Sequence, residues 1–358
     1  MSEKENIYSQ GNSFYELIDL VIQVIKSGRV PFIWGMPGIG KSAITKLVAE
    51  KLGCQYRCLD APLLQPFDYA VAVPDHKTRE IVLYKTGFIP STGPAVVAIE
   101  DLPHAKPFQQ IPIMQIVLDH RIGPLEIAKD VYFIGTGNRE EDIAFTQPIP
   151  SPLLNRMCHF TLNATPEEWA YRFARPSGID ERVIGFVLSN PEFFATAPKE
   201  GVRAWATPRS LHAFADIIKG IDDENRIRPL GIGTIGDVAT KFFLEWLKYL
   251  QGIDPKEVIE EGIMPKFNGQ DRSQLFAIAL SIGSFCSKLK ESQVSKHGKN
   301  ILKFFDLLTS DYRVLFCHQF IEYDVQGNRN VSKLSLLQKI KGSDKMFKEL
   351  ADVLLEVN

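Results

Sequence analysis

The chain of 358 residues carries 41 lysine and arginine residues against 43 aspartate and glutamate residues, a formal net charge of −2. This balance excludes a protein whose whole surface attracts nucleic acid, although a local basic channel would not show in the sum. The length favours two to three domains with a sizeable core. The N-terminal stretch "MSEKENIYSQGNS" is polar and no apolar run approaches eighteen residues, so we expect a cytoplasmic protein without a membrane segment.

The predicted elements alternate between helices and short apolar strands as far as residue 162. A helical pattern covers residues 14–27, the apolar run "VPFIW" follows, and a second helical pattern begins at Lys41. Four further apolar runs lie at residues 56–60, 95–101, 131–138 and 157–162. This alternation predicts an α/β fold, with a parallel sheet covered by helices on both faces. From residue 163 onward the patterns are helical.

A glycine-rich loop separates the first predicted strand from the second predicted helix. It fits the pattern G-x-x-x-x-G-K-[ST] and comprises Gly35, Met36, Pro37, Gly38, Ile39, Gly40, Lys41 and Ser42. Glycines let backbone N–H groups turn towards phosphate oxygens, and the helix that follows adds its N-terminal dipole. The lysine reaches the β- and γ-phosphates, and the serine hydroxyl ligates Mg²⁺. The loop therefore predicts ATP and Mg²⁺ binding.

Two carboxylates end the predicted strand "AVVAIED". A phosphate-binding loop needs such a strand end to hold the metal and to activate the attacking water. The usual order is aspartate followed by glutamate, and here it is reversed. Glu100 falls on the metal side, and Asp101 takes the catalytic position.

Three further polar residues complete the candidate site. Asn138 ends another apolar run, where its amide can face the attacking water or the γ-phosphate. Arg156 lies between a short helical stretch and a strand. Arg209 lies in the first turn of a predicted helix, where its charge opposes the helix dipole, so that a partner anion such as a phosphate is expected.

In this order the motifs resemble those of the AAA+ ATPases, and within them the MoxR-like group. The resemblance covers residues 14–250, and the phrases "GTGNRE", "PSPLLNRM" and "TPRS" are particularly similar to that group. It makes Asn138 sensor 1, Arg156 an arginine finger and Arg209 sensor 2. It implies a nucleotide-binding αβα core at residues 1–162 and a helical lid at 163–251. Residues 252–358 form a helical C-terminal region of unnamed role.

The resemblance also implies partners. Such ATPases form rings, commonly hexamers, in which Arg156 acts on ATP bound by the neighbouring subunit, and they remodel a protein client that often carries a von Willebrand factor A domain. Residues 64–92, with the hairpin-like "REIVLYKTG", would face the pore of the ring.

Two alternatives stay open. A nucleic-acid-translocating AAA+ motor would need a basic, aromatic pore, whereas residues 65–92 carry three basic against three acidic side chains, so nucleic acid is not the expected partner. A slow-hydrolysing nucleotide-dependent scaffold is suggested by the reversed order of Glu100 and Asp101. A small-molecule kinase would not need Arg156 and Arg209 at these positions.

Overall fold

The computed structural model describes residues 11–139, 142, 146–197, 201–265, 272–323, 329–330, 333–344 and 346. The chain divides into two compact units. Unit 1 comprises residues 1–165, 197–200 and 207–209, and unit 2 comprises the rest. The first ten residues of the predicted core and the last residues of the predicted C-terminal region lie outside the described part. The boundary expected near residue 251 stays a prediction.

Unit 1 is built on a sheet of five parallel strands. They are β1 (Val30–Trp34), β2 (Gln55–Asp60), β5 (Ala95–Glu100), β8 (Val131–Gly137) and β9 (Met157–Thr161). Their order across the sheet is β2-β5-β8-β1-β9, so the strand before the glycine-rich loop lies between β8 and β9. The α/β fold class predicted from the sequence is confirmed.

The burial of β1, β5 and β8 explains why the sequences of these strands are largely apolar. In β5 every residue from Ala95 to Ile99 is buried, because the sheet is covered on both faces. Phe32 of β1 is fully buried in the same core. A Cβ at Gly135 of β8 would overlap the ring of Phe32, so this position requires glycine.

The described residues of unit 1 include the helices α1 (Phe14–Lys26), α2 (Lys41–Lys51), α3 (Pro107–Asp119) and α4 (Ser151–Leu154). Ser13 and Glu16 form a capping box at the start of α1, and its apolar stripe is buried. Helix α2 begins directly at the glycine-rich loop, which places the loop at the carboxyl edge of the sheet. The starts of α1 and α2 agree with the helical patterns in the sequence, whereas α3 was not predicted.

Two antiparallel hairpins extend from unit 1. Strands β3 (Ala70–Asp75) and β4 (Glu80–Lys85) form the larger one, and β6 (Arg121–Ile122) and β7 (Leu125–Glu126) form the smaller. Several apolar side chains of the larger hairpin are solvent-exposed, with Ile81 at 72% and Tyr84 at 57%. The sequence predicted a hairpin in this stretch, although only its second strand was visible as a pattern.

Unit 2 is mainly helical. Its helices are α5 (Pro166–Glu168), α6 (Glu181–Ser189), α7 (Pro208–Ile217, whose first two residues belong to unit 1), α8 (Glu224–Thr234), α9 (Asp237–Gln251), α10 (Arg272–Ser287), α11 (Glu291–Leu307), α12 (Ser310–His318) and α13 (Leu334–Gln338). Two π-helical turns also occur, at Trp169–Ala174 and Glu257–Glu261.

Aromatic rings form the centre of unit 2. Phe243 of α9 packs edge-on against Phe186 of α6 and Phe214 of α7, with ring centroids 5.4 and 5.0 Å apart. The short hairpin of β10 (Glu322–Tyr323) and β11 (Arg329–Asn330) departs from the all-helical expectation, because two-residue strands are too short to show a periodicity. Among the described residues, no helix has the length and hydropathy needed to cross a membrane.

Candidate nucleotide-binding site

The glycine-rich loop has the backbone geometry of an anion-binding turn. Gly38 and Gly40 adopt φ angles of 79° and 117°, in the left-handed region that favours glycine. Gly40 is the N-cap of α2 and has no side chain to cap the first N–H groups of this 11-residue helix. These N–H groups and the helix dipole are therefore available to an anion at this edge of the sheet.

Lys41 is held inside the loop by three oxygen atoms. Its Nζ donates hydrogen bonds to the carbonyl oxygens of Gly35 (2.7 Å) and Met36 (3.0 Å) and to Oδ1 of Asn138 (2.6 Å). The side chain is buried, with 8% of the residue exposed. The amide of Asn138 and the ammonium of Lys41 thus meet at one point, as their predicted roles require.

The charge of Lys41 is destabilised by its surroundings. The pKa of Lys41 is lowered to about 8, mainly because the side chain is buried. The positive charge of Arg209 contributes to this shift, and the carboxylates of Asp101, Asp142 and Glu100 limit it. An ammonium group in this state gains from an added anion. The loop is consequently an electrostatic site for phosphate and not merely a tight turn.

Ser42 and Glu100 meet at the start of α2. Ser42 Oγ donates a hydrogen bond to Glu100 Oε2 at 2.8 Å, and the Tyr56 hydroxyl donates to Oε1 of the same carboxylate at 3.3 Å. Thr45 Oγ1 lies 3.1 Å from the Tyr56 hydroxyl. Burial raises the pKa of Tyr56 above its ordinary value, so its hydroxyl stays a donor. Both oxygens of Glu100 are therefore oriented by neighbours on α2 and β2.

Asp101 stands apart from this network. Its backbone adopts φ 53° and ψ 36°, a left-handed conformation uncommon for residues other than glycine. Its N–H lies 3.4 Å from Thr136 Oγ1 on the neighbouring strand β8, and its residue is exposed. The turn after Glu100 therefore separates the two successive carboxylates: Glu100 bonds Ser42, whereas Asp101 is exposed and its charge acts on Lys41.

Arg139, next to Asn138, forms an ion pair with Asp142 that the sequence analysis did not identify. Arg139 Nη2 lies 2.8 Å from Asp142 Oδ1, and the backbone N–H of Arg139 donates to Asp142 Oδ2 at 2.8 Å. Asp142 is 3% exposed. The sequence signal for this ion pair was the spacing of three residues between Arg139 and Asp142. The carboxylate of this pair is one of those that oppose the lowering of the Lys41 pKa.

Arg209 reaches the site through the backbone. Its N–H lies 3.3 Å from the carbonyl oxygen of Gly38, and Thr207 packs against the same glycine so closely that a Cβ there would lie 2.9 Å from Thr207 Oγ1. Residues 207–209 belong to unit 1. Arg209 thus lies beside Gly38 of the glycine-rich loop, although the two residues are 171 positions apart in the chain. Its predicted role requires this position.

Arg156 lies at the opposite edge of the sheet. It precedes β9, whose first residue Met157 is in register with Val30 at the start of β1, whereas the glycine-rich loop follows the end of β1. Five strand residues at about 3.3 Å each separate the two edges by roughly 16 Å. Arg156 is exposed and lines a surface depression with Arg29. Among the described residues no carboxylate lies within ion-pair distance of Arg156.

A further cluster lies beside Glu100 on the outer strand. Potential ligand atoms of Cys58, Asp60 and Glu100 all lie within 4.8 Å of one another. Partial desolvation and the nearby charges of Glu100 and Asp60 raise the pKa of Cys58 to about 11, so without a metal its thiol keeps its proton. Oxygen atoms are the ligands that Mg²⁺ prefers, and Ser42 with Glu100 supplies them.

Comparison with known proteins found similarity at the level of solved structures. No family model matches the chain, and no curated protein matches it. A RuvB mutant from Thermotoga maritima aligns at 15% identity with a TM-score of 0.40, covering 91% of this chain and 97% of that chain. NtrX from Brucella abortus aligns at 15% identity with a TM-score of 0.33, covering 85% and 66%.

The RuvB Holliday junction branch migration motor of Thermotoga maritima aligns at 14% identity with a TM-score of 0.34, covering 94% of this chain and 93% of that chain. Scores of this size carry no weight of their own, so the assignment of the fold rests on this chain's strand order and loop geometry. The carboxylate strand β5 is separated from the loop strand β1 by β8, whose end carries Asn138. The chain therefore has the αβα fold with a parallel sheet that its resemblance to the AAA+ ATPases implies.

Proposed function

We propose that the chain is a MoxR-like AAA+ ATPase that hydrolyses ATP in an oligomeric ring, commonly a hexamer, and uses the energy to remodel a protein client. The observation that supports this most is the division of cationic groups between the two edges of the sheet. Lys41 and Arg209 lie at the edge of the sheet that carries the glycine-rich loop, which we call the nucleotide edge, whereas Arg156 lies exposed at the opposite edge. A cation that its own site cannot use is suited to the site of a neighbouring subunit.

The residues of the nucleotide edge divide the chemistry among them. Backbone N–H groups of the glycine-rich loop bind the phosphates, and Lys41 exchanges its carbonyl partners for phosphate oxygens. Asn138, which already contacts Lys41, orients the attacking water. Arg209 neutralises charge that develops on the γ-phosphate.

The oxygen atoms of Ser42 and Glu100 would hold Mg²⁺, since a hydroxyl and a carboxylate 2.8 Å apart fit a hard cation. When bound, the metal neutralises charge on the β- and γ-phosphates. Asp101 is the carboxylate left to position and deprotonate water. Because Tyr56 and Ser42 anchor the longer Glu100, the reversed order of the two acids is compatible with hydrolysis, and this supports an ATPase over a non-hydrolysing scaffold.

The β3–β4 hairpin supports a protein client. Val71, Val73, Ile81 and Tyr84 expose 41–72% of their surfaces on a two-stranded ribbon whose tip carries charges of both signs. Exposed apolar side chains of this kind mark protein contacts, whereas phosphate backbones require cations. The hairpin would line the ring's pore, with the client drawn past it. A von Willebrand factor A domain in the client is proposed on resemblance alone.

A second candidate is a nucleic-acid-translocating motor, because one feature of unit 2 favours a polyanion. Lys296, Lys299, Lys303 and Lys341 line a depression of about 490 Å³ along α11. Three of them recur at spacings of three and four residues, so they share one face of the helix. The division into a lid at residues 163–251 and a C-terminal region at 252–358 is proposed with either candidate.

The assay is steady-state ATP turnover by size-fractionated oligomers. We expect Arg156→Ala to bind ATP and to lose turnover by about a thousandfold or more, as for a lost arginine finger. The matched control is Arg57→Ala, which removes an exposed arginine from β2. Mixing Arg156→Ala with Lys41→Ala subunits should restore turnover, because an intact site can then face an intact arginine. Failure to recover, with co-assembly verified by native mass spectrometry, would refute an arginine acting in trans.

Addition of nucleic acid separates the two candidates. For a protein remodeller, single- or double-stranded DNA leaves ATP turnover unchanged. A several-fold stimulation that disappears as salt is raised would favour the translocating motor, since phosphate contacts are salt-dependent. Replacing Lys299 and Lys303 with glutamine would then abolish the stimulation.

A further inference from the structure

A chain of two hydrogen bonds runs across the sheet beside the glycine-rich loop. The indole Nε1–H of Trp34 lies 3.1 Å from Nδ1 of His159, and Nε2 of His159 lies 2.8 Å from the carbonyl oxygen of Leu154. Trp34 is the last residue of β1, His159 lies in the middle of β9, and Leu154 ends α4. None of these residues has a part in the nucleotide chemistry described above.

The chemistry of the partners fixes the tautomer of His159. The indole nitrogen of tryptophan only donates, so Nδ1 must be an acceptor and carries no proton. The proton of the neutral ring is then on Nε2, where it meets a carbonyl oxygen that only accepts. Nδ1 accepts a hydrogen bond and Nε2 donates one. The hydrogen bonds therefore run in one direction, from Trp34 through His159 to Leu154.

Aromatic packing holds the ring in place even though His159 is exposed. The imidazole stacks on Trp34 with ring centroids 6.0 Å apart and an interplanar angle of 28°, and it lies 5.8 Å from the buried ring of Phe32. Phe32 is the partner of His159 in the register of the two strands. The side chain is thus supported from below by the core and from one side by Trp34.

This hydrogen-bond chain begins at the edge of the sheet that carries the glycine-rich loop and ends at the edge that carries Arg156. Gly35, the first residue of the glycine-rich loop, follows Trp34 directly. At the other end, Arg156 follows Leu154 by two residues and its backbone N–H bonds the Leu153 carbonyl at 3.2 Å, so Leu154 lies in the turn that presents the arginine. The histidine side chain therefore links residues adjacent to both sites over the roughly 16 Å that separate them.

We infer that His159 is a positioning residue that couples a subunit's own glycine-rich loop to its own Arg156, and hence to the ATP bound by the neighbouring subunit. The inference rests on the proposed role of Arg156 as an arginine acting in trans. The imidazole, bonded to Trp34 on one side and to the Leu154 carbonyl on the other, holds the turn that presents Arg156 at a fixed position relative to β1. The geometry of Arg156 towards the neighbouring site thereby depends on His159.

Two variants test the relay. His159→Phe keeps a ring for stacking and removes both hydrogen bonds, whereas Trp34→Phe removes only the indole donor. We expect His159→Phe to lower kcat by about tenfold to a hundredfold, the range for a catalytic group displaced by about 1 Å, while ATP affinity is unchanged. Combining both changes should cost no more than His159→Phe alone. Cys158→Ala, on the opposite face of β9, is the matched control with native turnover.

Mixed rings show where the defect acts. His159→Phe subunits are combined with Lys41→Ala subunits, which cannot bind ATP but retain Arg156 and His159. If His159 acts through Arg156, turnover per competent site rises on mixing, because the intact site of the His159→Phe subunit meets an intact neighbour. A defect confined to its own site would not be rescued by any neighbour.

The outcomes separate this inference from the proposed function. Rescue of both Arg156→Ala and His159→Phe by Lys41→Ala subunits supports the relay. Rescue of Arg156→Ala alone overturns the relay and leaves the trans arginine in place. Rescue of neither, in verified mixed rings, overturns the proposed function and the relay with it. Should His159→Phe fail to fold, the same mixing applied to Trp34→Phe decides in the same way.

Discussion

The buried Lys41 makes the stability of the nucleotide-free protein depend on pH. Its pKa is about 8 in the folded protein against an ordinary value of 10.5, mainly because burial disfavours the charged form. A difference of about 2.5 pH units corresponds to about 3 kcal/mol at neutral pH. The folded protein bears this cost as long as Lys41 is protonated, and replacing Lys41 with methionine removes the titrating group.

The sign of the effect follows from proton binding. Between pH 8 and 10.5 the unfolded chain holds the lysine proton and the folded protein does not, so this group makes stability rise with pH across that window. Relative to Lys41→Met, the native protein should gain about 2.5 kcal/mol between pH 7 and pH 10. For a unit of this size that corresponds to a change of about 5–10 °C in the difference between the two Tm values.

The assay is thermal unfolding of both proteins, free of nucleotide, at pH 7 and pH 10. Other lysines and tyrosines that titrate in this range cancel in the difference between native and variant. Lys26→Met, which removes an exposed lysine at the end of α1, is the control for the loss of a lysine outside the glycine-rich loop. If the native protein gained no stability over Lys41→Met at pH 10, or lost stability, the assignment of Lys41 as a buried, destabilised cation would be refuted.

Three further predictions concern other positions. Glu100→Asp retracts the carboxylate by about 1.5 Å, beyond hydrogen-bond reach of Ser42. The lost hydrogen bond is worth about 1.5–3 kcal/mol. In a metal titration, the Mg²⁺ concentration needed for half-maximal turnover should therefore rise by about tenfold to a hundredfold. Asp101→Asn should retain ATP without hydrolysing it, and single-turnover hydrolysis as fast as in the native protein would show that another group activates water. Gly135→Ala should destabilise unit 1 by about 1–3 kcal/mol in denaturant unfolding, because its methyl group overlaps Phe32.

The nucleotide edge could be predicted from the sequence because its parts follow local rules. An apolar strand, a loop with glycines at fixed positions and a helix starting at Lys41 predict one another, and the carboxyl ends of parallel strands meet at the same edge. Glu100, Asp101 and Asn138 each end such a strand. Once the fold class was predicted, it followed that these residues lie near the glycine-rich loop.

What could not be predicted depends on strand order and register. Nothing in the local pattern of β2 shows that Tyr56 reaches Glu100, which lies 44 positions away and becomes its neighbour only because β2 pairs with β5. Trp34 and His159 are 125 positions apart, and their contact follows from the pairing of β1 with β9. Side-chain contacts between strands that are not consecutive in the chain depend on the order of the strands in the sheet. A single sequence does not show this order.

The first turn of α7 has a consequence for dissecting the protein. Residues 207–209 belong to unit 1, whereas Ser210 and the rest of the helix belong to unit 2. A chain cut after residue 165 would keep every strand of the sheet and lose the residues that pack on Gly38. Limited proteolysis or truncation will therefore not yield a complete catalytic fragment. An isolated nucleotide-binding unit would need an internal deletion in which a short linker joins residue 165 to the segment around residue 207.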